Sequence, residues 1–102
     1  MNKIKLINNL GLARRSGKII FGFRLLEAIK NNQVNLVIIA TDMGESQKKK
    51  YLDKSNFYNI ETWVDVVSIQ ELSQATGMKK VVAIGIKDKN MITLFKQSKE
   101  KE

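Results

Sequence analysis

The sequence predicts an α/β protein, a three-layer α/β/α sandwich in which helices cover both faces of a central four-stranded mixed sheet. Three observations lead to this fold class. Segments with helical periodicity alternate with short apolar segments along the chain. One apolar segment is unbroken, as expected for a strand that is buried on both faces. The 102 residues contain no proline, no repeat and no low-complexity stretch that would mark a linker, so we expect one domain over residues 1–102.

The first half of the chain contains two predicted helices and two predicted strands. Apolar residues recur every three or four positions in the helices, while the strands are short β-branched runs bounded by turn residues. The second strand, around NLVIIA, is the unbroken apolar segment. In order, the elements are a helix over about residues 3–14, a strand over residues 18–21 ending at Gly22, a helix that stops at Asn31-Asn32, and a strand over residues 34–40.

The second half alternates in the same way and begins with a polar, lysine-rich helix. Ser68 and Glu71 have the spacing of a capping box, in which each side chain satisfies a free amide at the start of a helix. The elements are a helix over residues 45–56 after a loop at 41–44, a strand within residues 60–67, a helix that ends at Gly77, a strand over residues 80–86, and a last helix capped by Asp88, with a frayed tail from about residue 97.

The charge balance is the most informative property of the composition. Eighteen Lys and Arg residues face ten Asp and Glu residues, which gives a net charge of +8 and an isoelectric point near 9.8. Such a surface attracts polyanions, and without a basic amphipathic helix carrying bulky apolar anchors it favours nucleic acid over a membrane. The chain also lacks cysteine, a bilayer-spanning apolar stretch and a signal peptide, so we expect a cytoplasmic protein with no membrane partner.

The residues needed for most enzyme and metal chemistry are missing. No histidine or cysteine is present, so the commonest general base and the thiol nucleophile are excluded. Asp42 and Glu45 share one loop and could hold Mg²⁺, but their positions favour helix capping. Residues 11–18, GLARRSGK, are one residue too long for a phosphate-binding loop, and Ile19 stands where such a loop needs Ser or Thr. We expect no catalysis, no cofactor, no metal ion and no small-molecule substrate.

The strongest candidate for a binding site surrounds the first predicted strand. Its basic stretch contains four cations and no acid, namely Arg14, Arg15, Lys18 and Arg24. Gly22 has no side chain to keep a ligand from the backbone, and the free amides of the following helix start suit phosphate. Arg24 stands in the first helical turn, where the helix dipole favours acids, and this suggests an anionic partner. Phe23 could stack on an unpaired base or pack beneath the helix start, and the sequence leaves both open.

Other charged and aromatic residues give weaker signals. Residues 48–50 are three lysines on a polar helix, a pattern that favours a solvated surface. Lys79 and Lys80 precede the last strand, and whether they join the candidate site depends on the direction of that strand. Trp63 and Tyr58 are expected to be buried or half-buried.

The order of several segments resembles a known family. NLGLARRSGKI, the Gly22 helix, LVIIATD, KKKYLDKSNFY and ELSQATGMKKVVAIGIKD occur in the order found in the YlxQ-like bacterial branch of the kink-turn-binding ribosomal protein (L7Ae) family. The resemblance covers about residues 10–88 and implies an α/β/α fold without enzymatic activity. Kink-turns are sharply bent RNA helices with sheared G·A pairs beside a bulge. The family's RNA surface corresponds here to residues 17–27, 41–45 and 77–82.

The second helix departs from the family pattern. The family reads Gly-x-Asn-Glu-x-x-Lys-Ala-Ile there, and its Asn, Glu and Lys contact the G·A pairs. Residues 22–29 are one residue shorter, so Arg24 matches either the Asn or the Glu, and Glu27 replaces the Lys. Arginine donates to guanine but cannot accept from a base amine. The candidate RNA-binding residues are Arg14, Lys18, Gly22, Phe23, Arg24, Glu27, Asp42, Lys79, Lys80 and Val81.

We therefore expect a monomeric, non-catalytic protein that binds structured RNA, recognises kink-turns, and is ribosome-associated or ribosomal-protein-like. Two alternatives remain open at this point. A protein of the same fold could read the shape and charge of structured RNA without selecting kink-turns. A module of another class could use its basic face to bind an acidic protein. An enzyme with an unrecognised substrate is least favoured, because histidine and cysteine are missing.

Overall fold

Helices and strands alternate along residues 2–99, the part of the chain that this computed structural model describes. The elements are α1 (Lys3–Arg15), β1 (Ile19–Phe21), α2 (Phe23–Lys30), β2 (Leu36–Ile39), α3 (Glu45–Phe57), β3 (Glu61–Trp63), α4 (Ile69–Thr76), β4 (Ala83–Ile86) and α5 (Lys89–Lys99). This order is the predicted one. None of these helices is long and apolar enough to cross a membrane.

The four strands form one mixed sheet in the order β1-β4-β2-β3. β4 is antiparallel to both of its neighbours, whereas β2 and β3 are parallel. The strands β1, β2 and β3 therefore end where β4 begins. We call this the upper end of the sheet, where Ile39 pairs with Ala83, and the opposite one the lower end, where Leu36 pairs with Ile86.

One hydrophobic core lies on each face of the sheet, between the sheet and the helices that cover it. The predicted three-layer α/β/α sandwich is confirmed. Helices α1, α4 and α5 cover one face, and α2 and α3 cover the other. Along β2, Leu36 and Ile38 join the first core while Val37 and Ile39 join the second. Burial on both faces explains why this strand has no polar residue.

Strands β1, β2 and β4 are shorter than predicted, β3 lies within its predicted range, and α5 is longer than predicted. β3 covers only Glu61–Trp63 because it pairs only with residues 36–38 of β2. β4 begins at Ala83, after a connecting segment that contains Lys80. α5 continues to Lys99, with Ser98 fully buried, past residue 97 where the tail was predicted to fray. The rest of that predicted tail, residues 100–102, lies outside the described residues.

Candidate nucleic-acid interface

Three loops meet at the upper end of the sheet. Residues 22–24 follow β1, residues 41–45 follow β2, and residues 77–82 lead into β4. The last two are joined directly, because the amide of Ala40 donates to the carbonyl of Val82 over 2.9 Å. The antiparallel direction of β4 thus brings Lys79 and Lys80 to the same end as Gly22. This answers whether the two lysines join the candidate site, which the sequence left open.

Gly22 forms the start of α2 in a backbone conformation that only glycine adopts readily. Its φ is 70° and its ψ is −154°, and a Cβ placed there would meet nothing within 4 Å. No side chain caps the helix, so amides of its first turn remain open to a ligand. Arg24 lies in that turn and is exposed. The local backbone therefore offers N–H groups and a guanidinium at one place.

Helix α3 presents a second open N-terminus at the same end. Its cap residue, Gly44, makes no side-chain hydrogen bond to the helix. Lys48 reaches back over this terminus, and its Nζ donates to the carbonyl of Thr41 over 3.2 Å. The positive ends of two helices and the lysine ammonium make this end attractive to phosphate.

Asp42 is used as a cap, as the sequence favoured, although the helix it caps is α4. Its Oδ1 accepts a hydrogen bond of 2.8 Å from the amide of Ile69. The described residues contain no group of three or more acidic side chains that could hold a metal ion. Asp42 therefore fixes the loop after β2 to the start of α4.

Of the three candidates before β4, two are on the surface and one is not. Lys79 and Lys80 are exposed, whereas the side chain of Val81 is buried in the first core. The amide of Val81 donates to Ser73 Oγ over 2.9 Å, which holds the segment on α4. An open groove follows along α4, and its polar lining includes Gln70 and Gln74 as well as Lys79 and Asp42. No sequence motif distinguishes these two glutamines from other surface residues.

Arg14 and Lys18 do not lie with the other candidates. They precede β1, so the topology places them at the lower end of the sheet. Lys18 Nζ forms an ion pair of 3.1 Å with Asp88 Oδ2. The pKa of Asp88 is lowered first by the hydrogen bond from the amide of Met91 and then by Lys18. The structure thus splits the basic stretch, leaving Arg24 at the upper end and the earlier cations at the lower end.

The aromatic residues divide into exposed and buried ones. Phe23 is 82% exposed and does not pack beneath the helix start, so stacking on an unpaired base stays a prediction. Phe21, which the sequence analysis did not single out, is 42% exposed beside Gly22 at the end of β1. Trp63 is buried and Tyr58 is half-buried, as predicted.

Glu27, the residue in place of the family's lysine, is exposed on the outer face of α2. It lines a shallow hollow with Phe23, Leu26 and Lys30, together with Lys54 from α3. A carboxylate at this position accepts hydrogen bonds and repels phosphate. It can face a base amine but cannot contribute to backbone binding.

Comparison with known proteins supports a family assignment. Residues 5–95 match the model of the ribosomal protein L7Ae/L30e/S12e/Gadd45 family. The chain is 39% identical over 88 residues to the RNA-binding protein YlxQ of Enterococcus faecium. The aligned region covers 85% of this chain and 84% of that protein.

Two solved structures are similar to this one. A protein of unknown function from Bacillus halodurans has a TM-score of 0.84 and 37% identity, and the match covers 93% of this chain and 97% of that one. The 15.5 kD RNA-binding protein of Giardia lamblia has a TM-score of 0.74, covering 93% of this chain and 82% of that one. With 17% identity, the second similarity shows the fold alone.

Proposed function

The chain belongs to the ribosomal protein L7Ae/L30e/S12e/Gadd45 family, and from this premise we propose that it is an RNA-binding protein whose upper end recognises kink-turn RNA. The observation that carries the proposal is the meeting of three loops around two helix N-termini without side-chain caps. These loops contribute Arg24, Lys79 and Lys80, none of which forms an ion pair within residues 2–99. The Enterococcus faecium relative, named as an RNA-binding protein, supports RNA as the partner.

Each part of the upper end has a separate task in this proposal. The open amides of α2 and α3 bind phosphate oxygens, because unpaired N–H groups at a helix N-terminus are directed outward and carry positive partial charge. Lys79 and Lys80 add charge without base selectivity. Arg24 supplies selectivity, since its planar group can donate two hydrogen bonds to the O6 and N7 atoms of a guanine. Phe23 stacks on an unpaired base beside it.

Selection of kink-turns has to rest on Arg24 and Glu27, because both replace residues of the family pattern. The Arg24 guanidinium can only donate hydrogen bonds, and the Glu27 carboxylate can only accept them. Together they restore one donor and one acceptor on the outer face of α2, although on different side chains. A sheared G·A pair offers both an acceptor edge and an amine, so this pair of residues is suited to it.

The test is a titration of the protein with a kink-turn RNA and with a straight duplex of equal length, at one salt concentration. We expect tighter binding of the kink-turn RNA. Equal affinity for the two RNAs would show a reader of shape and charge without kink-turn selectivity. Failure to bind either RNA, with binding of an acidic protein instead, would overturn the proposal altogether.

The proposal also covers the setting in which the protein works. We propose a monomer that acts in the cytoplasm without catalysis, on ribosomal RNA or another structured RNA. The absence of cysteine is compatible with a reducing compartment. Without histidine or cysteine, neither of the two commonest nucleophile–base pairs can form.

A further inference from the structure

The lower end of the sheet carries more uncompensated positive charge than the upper end. Two of its segments, residues 14–18 and 87–90, contain five cations and one carboxylate: Arg14, Arg15, Lys18, Lys87, Lys89 and Asp88. Its other segments, residues 31–35 and 58–60, carry no charge. The corresponding upper segments, residues 22–24, 41–48, 64–68 and 79–80, contain four cations and three carboxylates. The charge that should attract a polyanion is therefore concentrated away from the family-type site.

Three of these cations line an open hollow of about 550 Å³. Lys18, Lys87 and Lys89 line it, with Asn90 and the bare backbone of Gly17 between them. The single carboxylate is already engaged, because Asp88 Oδ2 pairs with Lys18 and Asp88 Oδ1 accepts from the amide of Met91. Lys87 and Lys89 consequently have no carboxylate partner within residues 2–99.

The position of Lys89 supports a ligand at this hollow. Lys89 is the first residue of α5, a helix with no acid in its first turn, and a cation there is unfavourable for the helix dipole. Gly17 has a φ of 69° and open space where a Cβ would be, so a ligand can approach the backbone. Ile20 is the one apolar side chain that lines this hollow. The hollow therefore lacks the buried aromatic anchors that dominate the binding energy of protein interfaces.

We propose that the lower end is a second RNA-binding surface, which holds the phosphate backbone of another RNA segment while the upper end holds its own. This inference takes RNA as the class of partner from the proposed function. The two surfaces lie at opposite ends of the strands. Lys18 precedes β1 and Gly22 follows it, and the two residues are about 13 Å apart along an extended strand. One protein molecule thereby joins two RNA segments.

The test is a ternary-complex assay with two labelled RNAs, a kink-turn RNA and a short straight duplex, measured by energy transfer between them. The lower-end variant carries Arg14→Gln, Lys87→Gln and Lys89→Gln. The matched control carries Lys5→Gln, Lys49→Gln and Lys50→Gln, three exposed lysines on α1 and α3 that lie outside both surfaces. Both variants lose three charges, and circular dichroism checks that each is folded.

We expect the wild-type protein and the control to form the ternary complex and the lower-end variant to lose it while keeping its affinity for the kink-turn RNA. The salt dependence of duplex binding, plotted as log affinity against log salt, should become shallower by about three in that variant. An equal loss in both variants, or no ternary complex with wild-type protein, would overturn the second surface.

A further variant separates failure of this inference from failure of the proposed function. Gly22→Glu adds bulk and negative charge at the upper end and should abolish kink-turn binding without affecting duplex binding at the lower end. If Gly22→Glu leaves kink-turn affinity unchanged, the upper-end site is wrong, while loss of duplex binding in the lower-end variant still supports the second surface. If wild-type protein binds neither RNA, both proposals fail.

Discussion

At the scale of single residues, Gly22 and Gly85 both require glycine, but for different reasons. Gly22 needs it for its backbone angles, and no atom lies within 4 Å of the place where a Cβ would be. Gly85 lies in the centre of β4, where a Cβ would overlap Leu25 Cδ1 and lie 2.8 Å from Val34 Cγ1. The first glycine shapes the binding surface, and the second allows α2 to pack against the sheet.

Gly85→Ala should destabilise the fold. The added methyl group has to displace Leu25 and Val34, both fully or almost fully buried, and overpacking of this kind costs about 1–3 kcal/mol. The free energy of unfolding in urea measures the change. Gly44→Ala is the control, since Gly44 has an ordinary φ of −55° and no neighbour within 4 Å, and its effect should stay below about 1 kcal/mol. Equal effects of the two substitutions would contradict this account of Gly85.

Arg24→Ala should reduce the preference for kink-turn RNA over a straight duplex. Loss of a bidentate contact to a base costs about 1–3 kcal/mol and relaxes selectivity, whereas loss of a phosphate contact weakens all RNAs about equally. A competition titration of the folded variant against both RNAs gives the preference ratio. Lys49→Ala, on the exposed face of α3, should leave that ratio unchanged. If Arg24→Ala keeps the wild-type ratio, base reading belongs to the segment with Lys79 and Lys80 or does not occur.

At the scale of elements, the three helices that follow β1, β2 and β3 at the upper end differ in how their N-termini are satisfied. α4 has a capping box, in which Ser68 Oγ accepts from the amide of Glu71 and Glu71 Oε1 accepts from the amide of Ser68. Asp42 satisfies a third amide, that of Ile69. The starts of α2 and α3 have no side-chain cap. Their amides remain available for a ligand, while α4 serves as a rigid support.

The cap of α4 should make stability depend on pH in the acid range. The hydrogen bond from the amide of Ser68 is the main cause that lowers the pKa of Glu71, and Lys3 adds to it. Because the folded pKa is lower than the unfolded value of about 4.3, this stabilisation is complete above the unfolded pKa and is lost as the pH falls through the folded pKa. Melting temperatures between pH 7 and pH 3 should fall less steeply in Glu71→Gln, which retains an acceptor for the cap.

The control for this prediction separates the two causes of the pKa shift. Lys3→Gln removes only the ion pair, so the variant should keep most of the acid-dependent decline of the wild-type protein. If Lys3→Gln and Glu71→Gln flatten the profile equally, the ion pair and not the cap is responsible.

How far the sequence predicted the structure depends on whether the signal was local. Helical periodicity, the Ser68–Glu71 spacing and the apolar run of β2 are local, and the elements they predicted are present. The direction of β4 depends on its distant partners β1 and β2, so the sequence alone could not place Lys79 and Lys80. For the same reason, closeness in sequence grouped Arg14 and Lys18 with Arg24, although the short strand β1 separates them.

At the scale of the whole molecule, the cations behind the net charge of +8 lie at both ends of the sheet and along the helices between them. Ion pairs neutralise three of the lysines: Lys3 with Glu71, Lys18 with Asp88 and Lys96 with Glu61. Each pair has at least one member on, or at the cap of, a helix that covers the first core, namely α1 with α4 for the first pair and α5 for the other two. The cations of the upper end remain without such partners within residues 2–99.

This distribution predicts how RNA binding responds to salt. Each phosphate neutralised on a duplex contributes about −0.9 to the slope of log affinity against log salt. Lys48, Lys79 and Lys80 should therefore give a slope of about −3 for a kink-turn RNA that contacts the upper end alone, whereas the full net charge would give about −7. The double variant with Lys79→Gln and Lys80→Gln should reduce the slope to about −1, and Lys49→Gln with Lys50→Gln should leave it unchanged. Affinity that does not vary with salt would contradict phosphate binding altogether. A slope near about −7 would mean that the kink-turn RNA contacts the cations of both ends, and it would contradict binding at the upper end alone.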